Sequence, residues 1–145
     1  WRRSAPMPSM SIFGTPSREK CVVRRAKTNT PLQALVTLND EQFVEAARFM
    51  AERVMTDKKL AETRAKILRM YRLTAGVKPN GKTMDLLLKT YAEEKAFFAK
   101  DLEGAKQLLA TGEKKRNESI DIASHAAMTI VAGIIMNLDE SLTRG

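Results

Sequence analysis

Cysteine, histidine and aromatic residues are scarce in this chain. Its 145 residues include one cysteine, Cys21, and one histidine, His125, and its seven glycines are scattered along the sequence. A disulfide within the chain is therefore excluded, and the sequence contains neither a Cys-x-x-Cys-His haem attachment motif nor a glycine-rich phosphate loop. We accordingly predict no metal, haem or other cofactor bound by this chain alone.

Long apolar runs are also missing. The longest, "AAMTIVAGIIM" at residues 126–136, is well short of the roughly 20 residues that a membrane-spanning helix requires. No stretch alternates apolar and polar residues as a half-buried strand does, and no internal repeat is evident. With aromatic residues at 6%, aliphatic side chains and eight methionines must fill the core. These features favour an all-α protein without a transmembrane segment.

Prolines and helix caps divide the chain in two. Pro6, Pro8 and Pro16 prevent a continuous helix, so residues 1–30 are predicted to form an extended basic arm. Residues 31–145 are predicted to form a helical domain, an irregular bundle of five to six helices around a central, apolar C-terminal helix. The predicted helices cover residues 31–38, 41–55, 60–75, 83–100, 102–111 and 122–137.

The second predicted helix is amphipathic. Its apolar side chains recur with helical spacing and should face the core, as Phe43, Ala47, Met50 and Val54 do. On the opposite side, Glu45, Arg48 and Glu52 are predicted to form a solvated charged face, with Arg48 and Glu52 four residues apart.

Positive charge is concentrated at the start of the chain. The net charge is +8, and residues 1–30 hold seven of the 25 basic residues but only Glu19 among the 17 acidic ones. Such an arm can hold phosphates, anionic lipid or an acidic polysaccharide. Alternatively, its arginines bond to carbonyls and carboxylates of the same protein, and we favour this interpretation. "VRRAK" lacks interleaved aromatic residues, so nucleic-acid binding is not favoured.

Neither reactive side chain has an evident catalytic partner. His125 would need an orienting acid and a nucleophile to act as a general base, and a structural role is the simpler interpretation. Lys20 and Arg24 could lower the pKa of Cys21, but without a base nearby a structural cysteine is favoured. No catalytic constellation is visible, and whether the protein is an enzyme stays open.

The segments "APMPSM" and "PSREKCVVRRAKTNTPLQALVTLNDEQFVEAARFMAERV" strongly resemble the C-terminal part of the planctomycete-specific, cytochrome-c-associated domain of unknown function (PSD family). The ending "NLDESLTRG" resembles the terminal signature of that family. The resemblance implies the C-terminal portion of a longer protein, exported to the periplasm or cell surface, with haem possible in upstream domains. It implies no particular activity.

The resemblance also presents seven polar residues as one set: Arg24, Arg25, Thr28, Asn29, Thr30, Asn39 and Asp40. Asn29 and Thr30 are predicted to cap the helix that begins at Pro31, and Asp40 to cap the next. We predict that Arg24 or Arg25 pairs with Asp40 and clamps the arm to the bundle. In the alternative, the same residues line an anion-binding groove.

Two function classes follow. In the first, the chain is a structural or interaction domain of a large exported, cytochrome-associated protein, and the arginine segment docks onto upstream domains of the same polypeptide or onto another exported protein. In the second, it is the substrate- or anion-binding part of an exported enzyme that acts on a polysaccharide or sulfated polymer.

Overall fold

The fold is all-helical over the residues described by the structure, a computed structural model that covers residues 11–14, 23 and 30–142. The prolines of the predicted arm lie outside these ranges. Seven helices follow one another in the described part: α1 (Pro31–Asn39), α2 (Glu41–Met55), α3 (Thr63–Ala75), α4 (Gly81–Lys100), α5 (Leu102–Ala110), α6 (Ile122–Met136) and α7 (Asp139–Leu142).

All six helices predicted from the sequence are confirmed, with two shifted starts. α3 begins at Thr63 because a turn, closed by the Leu60 N–H on the Asp57 carbonyl at 3.0 Å, precedes it. α4 begins at Gly81 because the Asn80 side chain caps it, accepting a hydrogen bond from the Thr83 N–H at 2.8 Å. The four-residue α7 was not predicted. Of the arm, residues 11 and 12 are helical and residues 13 and 14 form a turn, with the Gly14 N–H bonded to the Ser11 carbonyl.

The predicted central position of α6 is confirmed. Ten of its 15 residues are buried, and it packs against all six other helices of the described residues. Asp121 begins the helix as predicted, since its carboxylate accepts a hydrogen bond from the Ser124 N–H at 2.9 Å. The buried alanines along α6 let its neighbours approach closely, which allows one helix to serve as a shared axis.

Two apolar clusters follow one another along α6. Around its C-terminal half lie side chains of α2, α3 and α4, among them Val54, Ile67, Met70 and Leu87. Around its N-terminal half lie Phe98 of α4 and Leu109 of α5. Among the helices of the described ranges, none is both long and apolar enough to cross a membrane.

One prediction about α2 is wrong. Arg48, predicted on a solvated charged face, is completely buried, and Glu45 and Glu52 are only partly exposed. The reason is the polar loop at residues 111–121, which runs over this side of α2 and covers it. The apolar stripe of α2 is oriented as predicted, with Ala47 and Val54 buried.

Candidate functional site

The polar set predicted as a clamp or anion groove is only partly described. Arg24, Arg25, Thr28 and Asn29 lie outside the described residues, as does Cys21. Neither the pairing of Arg24 or Arg25 with Asp40 nor the anion-binding groove is tested, and both stay predictions. The other three members of the set, Thr30, Asn39 and Asp40, surround the two ends of α1.

Thr30 caps α1 through a reciprocal pair of hydrogen bonds. Its Oγ1 accepts from the Gln33 N–H at 3.3 Å, and its own N–H donates to Gln33 Oε1 at 2.8 Å. This capping box satisfies two backbone donors that a helix start otherwise leaves free, and Pro31 has no N–H to satisfy. The start of α1 is therefore fixed by its own sequence.

Asn39 and Asp40 fix the bend between α1 and α2. Asn39 Nδ2 donates to the Leu35 carbonyl at 2.8 Å, and Asp40 Oδ1 accepts from the Gln42 N–H at 3.0 Å, which caps α2. Only Oδ1 of Asp40 accepts a hydrogen bond within the described part of the chain. Its second oxygen is thus compatible with the predicted arginine partner.

The polarity of α1 is inverted relative to an ordinary surface helix. Its two buried residues are polar, Gln33 at 2% and Thr37 at 4% exposure. Gln33 Nε2 donates to the Ile12 carbonyl at 2.9 Å, and Thr37 Oγ1 donates to Asn137 Oδ1 at 2.8 Å. These hydrogen bonds satisfy the polar groups that α1 places against the bundle.

The outer side of α1 carries leucines. Leu32, Leu35 and Leu38, which we call the leucine face, are 53%, 58% and 46% exposed. Single exposed leucines are ordinary, but three at three-residue intervals on one side of a nine-residue helix form a contiguous apolar strip.

An apolar groove of about 80 Å³ adjoins the leucine face. Leu38 belongs to both, and α2, α5 and α6 contribute other lining residues, including Phe43, Leu108 and Gly133. A Cβ added at Gly133 would have no atom within 4 Å, so the missing side chain leaves real space there. The leucine face and the groove form one continuous apolar surface.

The described turn at residues 11–14 lies at the edge of this surface. The Phe13 ring lies 6.0 Å from the ring of Phe43, which lines the groove. The Ile12 carbonyl accepts the hydrogen bond from Gln33 described above. Ile12 and Phe13 therefore lie beside α1 and the groove.

The comparisons with known proteins identify a family and nothing more specific. The family model described as PSD1, a protein of unknown function (DUF1553), matches residues 1–91, more than half of the chain. The chain belongs to the PSD1 family. No curated protein and no solved structure matches it.

The PSD1 match confirms the resemblance noted from the sequence. The matched range includes the leucine face, α2 and α3, and ends within α4. The closing "NLDESLTRG" at residues 137–145 lies beyond the matched range, so its resemblance to the family's terminal signature stays a prediction.

A buried arginine is the feature of this PSD1 chain that sequence reasoning missed. Arg48 Nη2 donates to the Lys114 carbonyl at 2.6 Å and to Glu45 Oε1 at 3.2 Å. Its guanidinium carbon lies 4.7 Å from the centre of the Phe49 ring, a favourable cation–π distance. Nε and Nη1 have no hydrogen-bond partner within the described ranges. The partner loop is more than 60 residues away in sequence, so no local pattern signals this burial.

Carboxylates of α2 hold the loop over Arg48 in place through hydrogen bonds. Glu41, Glu45 and Glu52 accept hydrogen bonds from the N–H groups of loop residues 112, 114 and 117, at 3.3, 2.9 and 3.3 Å. The bond from the Lys114 N–H, together with the nearby Arg48 charge, holds the pKa of Glu45 below its ordinary value. At Gly112, where φ is +101°, a Cβ would collide with Glu45.

His125 lies below this loop and is fully buried. Its Nε2 is 3.5 Å from the Arg48 carbonyl oxygen, and burial lowers the pKa of the ring, so it is neutral at pH 7. Its Nδ1 has no hydrogen-bond partner in the part of the chain that is described. This environment fits the structural role favoured from the sequence. Over the described residues, no group of three or more histidine, cysteine, aspartate or glutamate side chains could hold a metal ion.

Proposed function

We propose that this PSD1 chain is an interaction domain, and that the leucine face with its adjoining groove is its docking surface. The observation that carries the proposal is the inverted polarity of α1. A helix that directs Gln33 and Thr37 inward and three leucines outward is expected where a second apolar surface covers it.

The size of the surface favours a partner in the same polypeptide. Each of the three leucines is about half exposed, so covering the rest would contribute about 1 kcal/mol per side chain. A total of about 3 kcal/mol between separate molecules corresponds to a dissociation constant weaker than about 1 mM. A covalent link removes most of the association cost and raises the effective concentration.

We therefore propose that upstream domains of the same protein occupy the leucine face. The contacts of Ile12 and Phe13 support this, because residues N-terminal to α1 already lie against α1 and the groove. Export to the periplasm or cell surface, and haem in those upstream domains, are part of the same proposal and have their origin in the family resemblance.

The experiment supplies the two parts of the full-length gene product as separate polypeptides divided before Trp1. The test variant is Leu32→Gln/Leu35→Gln/Leu38→Gln, which keeps helix propensity while removing the apolar strip. The matched control is Leu73→Gln/Leu86→Gln/Leu102→Gln, three exposed leucines on α3, α4 and α5. Binding is followed at millimolar concentration by chemical shifts of labelled α1.

We expect the wild-type chain and the control to bind the upstream part and the α1 variant to lose that binding. Equal binding by all three would contradict the proposal. So would a gene product with no domain before this segment.

A further inference from the structure

A second surface, unrelated to the leucine face, is lined by cations. A pocket of about 270 Å³ lies between the end of α5 and the loop that follows it. We call it the cationic pocket, and its charged lining residues are Lys106, Lys114, Lys115, Arg116, Glu113 and Glu118. Four of these lining residues are positively charged and two are negatively charged.

The shape of the loop is held mainly by its backbone. Its backbone N–H groups bind the three α2 glutamates, as described above. Within the described residues, Lys114, Lys115 and Arg116 take part in none of the ion pairs found within 4.0 Å, whereas Lys106 pairs with Glu103 at 3.4 Å on the exposed surface. Lys114 Nζ also lies 5.7 Å from the centre of the Phe49 ring. Lys115 and the remaining nitrogens of Arg116 are therefore the loop groups most available to a ligand.

Arg116 is the most constrained of these cations. It is partly buried, and its Nη1 lies 3.4 Å from the carbonyl oxygens of Asn117 and Ile120, to which it donates. These contacts place the guanidinium at the wall of the pocket and use one of its nitrogens. The remaining N–H groups suit the planar, two-point contact that arginine makes with oxyanions.

We propose that the cationic pocket binds a sulfate or phosphate group, either as the free ion or carried on a polysaccharide. A cleft lined mainly by one sign of charge concentrates counter-ions of the other sign. Its volume lies just below the range of pockets that hold drug-sized ligands, so it suits one charged group with part of its carrier. This proposal does not depend on the docking role of α1.

The test measures binding of inorganic sulfate, inorganic phosphate and a sulfated heparin disaccharide to the whole chain, by calorimetry at low ionic strength. The variant Lys106→Gln/Lys115→Gln removes two pocket charges without touching the hydrogen bonds that hold the loop. The control Lys58→Gln/Lys59→Gln removes the same charge from an exposed turn before α3.

We expect saturable binding by the wild type and the control, weakened about tenfold in the pocket variant, the effect of losing about 1.4 kcal/mol. Binding of the inorganic ions identifies a free-ion site, and binding of the disaccharide alone identifies a polymer-borne group; either result supports the proposal. Absence of saturable binding to all three probes would overturn it, as would equal weakening in the control.

Discussion

α1 and α6 are both rich in apolar side chains, yet their surroundings differ. α6 is enclosed by all six other helices of the described residues, and ten of its side chains are buried. α1 packs against α2 and α6 on one side only and leaves its leucines outward. Apolar content alone therefore does not determine whether a helix lies in the core. α1 is as apolar as a core helix, but one of its sides is left uncovered.

The largest expected contrast comes from truncating one side chain in each helix. Ile135→Ala in α6 should lower the free energy of unfolding by about 2–5 kcal/mol, because it leaves a cavity in the core. Leu35→Ala in α1 should cost less than about 1 kcal/mol, because more than half of that side chain is in solvent. Urea denaturation of both variants measures the difference. Similar losses of unfolding free energy would show that α1 is buried as fully as α6.

Arg48 tests whether the polar side of α2 also behaves as core. Arg48→Ala should cost about 2–3 kcal/mol, since it removes a buried side chain and leaves the Lys114 carbonyl without its donor. This is below the usual loss for a buried ion partner, because two guanidinium nitrogens have no partner to lose within the described residues. Amide hydrogen exchange should accelerate in the loop at residues 111–121. Unchanged exchange there would show that Arg48 does not hold the loop against α2.

The burial of His125 in α6 predicts how the free energy of unfolding depends on pH. Burial lowers its pKa in the folded state, so below the ordinary value of about 6.5 the unfolded chain binds a proton that the folded chain does not. Stability should therefore fall as pH drops below about 6.5, by at most about 1.4 kcal/mol per pH unit from this group. Urea midpoints between pH 7 and pH 5 measure the slope. His125→Gln should flatten it, and a slope unchanged in that variant would show that another group is responsible.

The smallest expected effect has the opposite sign. Gly133→Ala should raise the free energy of unfolding by about 0.5–1 kcal/mol, because alanine favours the helix and its Cβ meets open space in the groove. Thermal denaturation measures the gain. If the groove receives a side chain of the upstream domains, the same variant should also weaken docking. A gain in stability with unaltered docking would show that the groove is not part of the docking surface.

Local sequence signals predicted the helices and the burial of α6, but not the burial of Arg48 or the exposure of α1. Pro31, Asp40 and Asp121 mark helix starts because capping depends on residues within one turn, and the structure places starts there. The burial of Arg48 depends on a loop more than 60 residues away. Periodicity likewise identifies an apolar face but not whether anything covers it, so the leucine face emerged only from the packing of α1.

The most direct test of the account is the free energy of unfolding of the isolated chain carrying Leu32→Gln/Leu35→Gln/Leu38→Gln. If the leucine face lies outside the chain's own core, the three changes together should cost no more than about 3 kcal/mol, about 1 kcal/mol for the buried half of each side chain. A loss of about 6 kcal/mol or more, the sum expected for three core leucines, would show that the chain buries this face by itself and would contradict the docking role.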